Sequence, residues 1–170
     1  MSIDPNRLQI VLYPDPVLRQ QAKPIAHIDD EVRAIAARMI ELMHQAPGVG
    51  LAAPQVGLPW RMFVANPTGQ PEDDQVYINP RITNLGGGNV AREEGCLSLP
   101  GITAEVIRPH EATIQATDEN GEGFEIQADD LLARIWQHEY DHLDGVMIID
   151  KMAPIDRMAN KRALRELESQ

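Results

Sequence analysis

Hydrophobic residues recur along this chain with two periods, and the switch between them separates helical from extended stretches. Val32, Ile35, Ala36, Met39, Ile40 and Met43 follow i, i+3, i+4 spacing, which predicts an amphipathic helix. Asp29 is placed to cap that helix just before Asp30, and Pro47-Gly48 ends it. From Trp60 to residue 129 the pattern is that of strands. It holds a run over 60–65, QVYINPRITN, a turn at Gly86-Gly87-Gly88, TAEVIRP, and a hairpin of EATIQATD and FEIQAD around Asn120-Gly121. Helical spacing returns at Asp129 or Asp130, where Leu131, Ile135, His138 and His142 step by four, three and four, so both histidines continue the apolar face. Gly145 suits the left-handed position after that helix. A last amphipathic helix is expected over roughly 154–168, and Leu8 to Tyr13, stopped by Pro14 and Pro16, reads as an edge strand or extended arm.

Composition narrows the class of protein. With 170 residues, 43% hydrophobic and 24% charged, the chain is expected to fold as a single domain over 1–170 rather than remain disordered. Its formal charge of −11 repels phosphate backbones, which argues against DNA binding. No apolar run nears the roughly 18 residues of a membrane span, and no basic-then-apolar leader opens the sequence, so a cytoplasmic setting is expected. One cysteine excludes an internal disulfide and leaves Cys96 as buried filler, metal ligand or reactive thiol.

The chemistry is concentrated in His138-Glu139-Tyr140-Asp141-His142. On a helix, the H-E-x-x-H spacing brings two imidazoles onto one face a turn apart, where both can reach one metal ion with the glutamate beside it. Hydrolytic sites usually add a third protein ligand. Gly145 matches the glycine of the extended protease motif H-E-x-x-H-x-x-G-x-x-H, but its last position is Ile148, which cannot bind metal. Glu166 and Glu168 lie in a charge-rich terminal segment that reads as a solvated face. Cys96 is the best remaining ligand, giving a Cys-His-His set with an open position. The segment GVGLAAPQVG at 48–57 is too apolar for an ordinary loop. Its partial match to a dinucleotide fingerprint is rejected, because a helix precedes it and Pro54, Gly57 and Pro59 prevent the helix that should follow.

Three separated motifs, GVGLAAPQ at 48–55, EGCLS at 94–98 and QHEYDH at 137–142, resemble those of the peptide deformylases, in the same order and across nearly the whole chain. The resemblance implies an α+β fold in which small, mostly antiparallel sheets surround a central metal-binding helix, with a C-terminal helix. It implies a metal-dependent hydrolase that removes the formyl group from the N-terminal formylmethionine of new polypeptides. Within it Cys96, His138 and His142 are metal ligands, Glu139 is the acid-base residue, and the Gln55 side chain and Leu97 amide stabilise an oxyanion. Gly48, Val49, Gly50 and Gly95 line the cleft for the substrate's main chain. Some members of the family carry a peptide-binding arginine shortly after the second motif; this chain has Thr103 there, with Arg108 as the alternative.

Donor softness suits one zinc, ferrous iron, nickel or cobalt ion per chain, and the resemblance favours Fe(II). Val49, Leu131 and Ile135 flank the expected site and are either a side-chain pocket or ordinary core. Residues 151–170 carry five basic and three acidic groups, and Arg157, Lys161 and Arg165 form a stripe at i, i+4. That stripe is either a solvated face or, as the resemblance suggests, a contact to ribosomal RNA. Two other functions stay open at this point: an H-E-x-x-H endopeptidase with Glu166 as third ligand, and a non-catalytic metal- or peptide-binding relative.

Overall fold

The structure, a computed structural model, describes residues 2–170. Helix α1 spans Asp30–Gln45, and the Asp29 carboxylate accepts the Val32 N–H at 3.0 Å, the expected cap. Its buried stripe is Val32, Ile35, Ala36, Met39, Leu42 and Met43, with Ile40 half-buried beside it. Strands β1 (Gly50–Ala52), β2 (Met62–Ala65), β3 (Gln75–Gly95), β4 (Thr103–Thr117) and β5 (Gly123–Asp129) form one antiparallel sheet in sequence order. The Leu8–Tyr13 arm stays outside that sheet but is tied down by Val11 N–H to the Gln55 carbonyl at 2.8 Å and Tyr13 N–H to the Ser98 carbonyl at 2.9 Å.

The triple glycine is not the expected turn. β3 runs straight through it, and Gly87 and Gly88, both at positive φ, face the single residue between Pro109 and Glu111. This is a β-bulge: an inserted residue kinks the strand without ending the ladder, and glycine bears the left-handed backbone at no steric cost. The result is one 21-residue strand that ends at Gly95, with Glu94 on it and Cys96 immediately after it.

Helix α2 spans Asp130–Leu143 and lies on the sheet. Its inner face buries Ala133, Trp136 and Leu143 against Phe63, Tyr77, Ala112 and Ile114. Phe63 stacks on Tyr77 with ring centroids 4.7 Å apart, and Trp136 meets Tyr77 edge-on at 6.1 Å. Burial of each such side chain is worth about 1.5–3 kcal/mol, so the orientation of α2 is strongly fixed. Gly145 takes φ 73° past its end, where a Cβ would sit 2.5 Å from the Arg19 carbonyl oxygen. The terminal helix expected over 154–168 is two helices, α3 (Pro154–Ala159) and α4 (Lys161–Glu168), broken at Asn160. Leu164 and Leu167 anchor α4 on a cluster that includes Leu18, Leu99 and Val106. Among the described residues no helix is long and apolar enough to cross a membrane.

Candidate metal centre

Three elements meet at one point. α2 brings His138 and His142 one turn apart, the residue just after β3 is Cys96, and the 3-10 turn Ala53–Val56 after β1 brings Gln55. Ligand atoms of Cys96, His138 and His142 all lie within 4.8 Å of one another, and Cys96 Sγ is 3.4 Å from His142 Nε2. They are the one such group among the described residues. Glu166, the alternative third ligand, is instead exposed on α4 and paired with Arg162 at 3.2 Å, while Glu168 accepts the Tyr13 hydroxyl at 2.7 Å.

The donor set fits a divalent ion. Burial opposes a charge on His138, yet Glu139, Cys96 and Glu94 together raise its pKa well above the usual imidazole range. Surroundings negative enough to hold that proton would equally hold a cation. Burial, with the His138 charge adding to it, lowers His142 well below its ordinary value and favours the neutral ring that ligation requires. Burial pushes Glu139 up to about 7, against the pull of His138. Glu139 Oε1 is buried with no partner among the described residues, an orphaned acceptor at the position where the chemistry needs one.

A cavity of about 370 Å³ opens onto this cluster. Gly48, Val49, Gly50, Gln55, Gly95, Cys96, Leu97, Leu131, Ile135, His138 and Glu139 all line it, so every expected ligand, catalytic and cleft residue is on its wall except His142, which lies buried behind. Leu131 and Val49 are 47% and 45% exposed and stand as apolar rims, whereas Ile135 is buried. Gln55 Oε1 accepts the Ala52 N–H at 2.9 Å, and its Nε2 faces Cys96 Sγ at 3.5 Å. Gly50 is where strand β1 touches the glutamate: a Cβ there would lie 2.6 Å from Glu139 Oε2.

Arg108 is not a peptide-binding residue. It is 2% exposed and fully engaged, donating Nε and Nη2 to Glu94 at 2.6 and 3.0 Å and Nη1 to Asp141 at 2.9 Å. Thr103 is exposed at the start of strand β4, its carbonyl accepting from Asn160, and neither residue lines the cavity. Sequence reasoning missed what Arg108 does, and with it Glu94. The Glu94 carboxylate receives His138 Nδ1 at 2.9 Å and Arg134 Nη1 at 2.5 Å, which fixes the ring so that Nε2 faces the other ligands. Although burial works to raise Glu94, the hydrogen bonds from His138 and Arg108 outweigh it and hold the carboxyl at about 2. A signal existed: Glu94 stands two residues before Cys96 in EGCLS, and Arg134 sits one helical turn before His138.

Fold and site together define a hydrolase of the metal-dependent class, with an H-E-x-x-H helix laid on an antiparallel sheet and a cysteine completing the ligand set. The polypeptide deformylase family model matches residues 7–158. The peptide deformylase of Acidobacterium capsulatum is 42% identical over 161 residues, covering 94% of both chains. That of Brucella suis is 40% identical over all of this chain and 96% of its own. The chloroplastic/mitochondrial peptide deformylase 1B of Arabidopsis thaliana is 46% identical, although the aligned part spans only 54% of that longer protein. A crystal structure of a plant peptide deformylase superposes with TM-score 0.93 at 42% identity, covering 99% of this chain and 92% of the other. The Plasmodium falciparum enzyme gives 0.92 at 36% identity and 95% of each. The chain belongs to the polypeptide deformylase family, and with it to the metal-dependent deformylases. Neither the endopeptidase nor the non-catalytic reading is favoured.

Proposed function

We propose that this chain removes the N-formyl group from the terminal formylmethionine of newly made polypeptides and releases formate, with residues 1–170 acting as one catalytic domain. The observation that carries the reading is the convergence of GVGLAAPQ, EGCLS and QHEYDH on a single cavity in a chain of this family. Cys96, His138 and His142 hold one divalent ion, Fe(II) in the cell, with zinc, nickel and cobalt as substitutes that the same donors accept. When bound, the ion supplies Lewis acidity, polarising the formyl oxygen and acidifying a water.

The chain's own groups do the rest. Glu139 takes the proton of the attacking water on its unpaired oxygen and returns it to the departing amine. The Gln55 side chain and the Leu97 N–H donate to the developing oxyanion. Gly48, Val49, Gly50 and Gly95 receive the substrate's main chain, and Val49, Leu131 and Ile135 take its methionine side chain. Exposed Arg157, Lys161 and Arg165 contact ribosomal RNA in the cytoplasm, which reversal of all three charges should abolish in salt-sensitive co-sedimentation. The test of the central reading is formate release from formyl-Met-Ala-Ser by anaerobically purified protein, with metal content measured on the same sample. Chelator-sensitive release is expected; none from a sample with one metal per chain refutes it.

A further inference from the structure

Ser98 lies two residues beyond Cys96, fully buried, and its Oγ accepts a hydrogen bond from Gln55 Nε2 at 3.2 Å. It is not part of the cavity wall, so it cannot touch a substrate held there. Its backbone is anchored independently, because its carbonyl accepts the Tyr13 N–H of the N-terminal arm at 2.9 Å. With the backbone tied and the side chain fully buried, the hydroxyl is held behind the site.

Gln55 needs such a point. A carboxamide has one acceptor end and two N–H donors. Oε1 is fixed by the Ala52 N–H at 2.9 Å, and a flipped amide would set Nε2 against that same donor. This contact decides which end faces the site but leaves the amide plane free to swing about it. Ser98 Oγ removes that freedom by taking one N–H on the buried side, which leaves the second directed to the Cys96 side, where Sγ lies 3.5 Å away. Without Ser98 the sulfur is the one acceptor left to Nε2, and the donor is drawn toward it.

We infer that Ser98 is a positioning residue, whose Oγ holds one Gln55 N–H so that the other is presented to the oxygen of the reacting formamide. This rests on Gln55 being the oxyanion donor, as proposed above. Because the effect is on a donor that matters most at the transition state, it falls on kcat and leaves KM and metal affinity alone.

The test compares kcat and KM for formyl-Met-Ala-Ser in the zinc-loaded wild-type chain, Ser98→Ala, Gln55→Ala and the double variant, with metal stoichiometry and Tm recorded for each. Ser98→Ala should lower kcat about tenfold, less than the roughly 10²–10³ of losing the donor itself, and should add nothing in the Gln55→Ala background. Ser98→Thr, which keeps the oxygen, should restore most of the loss. An equal loss in both backgrounds, a change in KM alone, or no change overturns the inference. Gln55→Ala with normal kcat refutes instead the oxyanion role of Gln55, and Ser98's with it. If Ser98→Ala fails to fold, the ¹⁵N-labelled, zinc-loaded wild-type chain decides. Its two Gln55 Nε2 protons should exchange with water at rates differing by about tenfold or more, and equal rates overturn the inference.

Discussion

Replacing Gly50 with alanine adds a single methyl group where strand β1 passes the glutamate of the metal helix. The new Cβ would lie 2.6 Å from Glu139 Oε2, 2.9 Å from Cδ and 3.0 Å from Cγ, against an ordinary contact of 3.4 Å or more. Relief of the clash needs a displacement of about 0.8 Å, the difference between 3.4 and 2.6 Å. Strand β1 cannot supply it, since Gly50 is paired with Ala65 and Leu51 and Ala52 are fully buried. The carboxylate must move instead. A misplacement near 1 Å can cost about 10²-fold in rate, so Gly50→Ala should lower kcat by about 10–10²-fold, or roughly 1.4–2.7 kcal/mol in activation free energy. Formate release under saturating substrate, with metal content and Tm on the same samples, is the assay. Metal should be retained, because Cys96, His138 and His142 are untouched. A kcat within twofold of wild type would refute the argument that this glycine spaces the proton acceptor. An effect confined to KM would make Gly50 a substrate contact only.

Glu139→Gln should keep its metal and lose about 10²–10⁴ in kcat; near-normal turnover would mean that another group moves the proton. Arg108→Met removes one of the two arginines paired with the buried Glu94 carboxylate, leaving Arg134 at 2.5 Å, and should destabilise the fold by about 1.5–3 kcal/mol in urea unfolding; no measurable loss would contradict the buried-pair reading. Burial pushes the Tyr77 phenol from 10.0 up to about 12. Its folded pKa is therefore above the unfolded one, so its stabilising share is complete below pH 10 and disappears as pH rises to about 12, on the order of 3 kcal/mol in all. Tyr77→Phe should flatten that alkaline limb of the stability curve, and an unchanged limb would assign it to other groups.

The amino-acid sequence by itself determined the two long helices, the Asp29 cap of α1 and the strand-rich middle, because the 3.6 and 2.0 periods are local and each element buries one face; at α2 the Asp129 side chain makes no capping bond. It also determined the chemistry on α2, since the spacing of His138, Glu139 and His142 sets their common face before any packing occurs. The third ligand was weighed from the residues by elimination, but its meeting with the histidines was a tertiary event: Cys96 is 42 positions upstream on another element. The same limit hid the Glu94, Arg108 and Asp141 network. Arg108 reads in sequence as one more strand cation, and only the packing of β4 against α2 reveals that it is buried between two carboxylates. The triple glycine carries a turn signal, but local signals cannot say whether a strand resumes in register; the pairing of β3 with β4 decides that it does. Local periodicity therefore specified the elements. The long-range packing of Trp136, Tyr77 and Phe63 fixed the angle at which they meet, and that angle turns three separated motifs into one site.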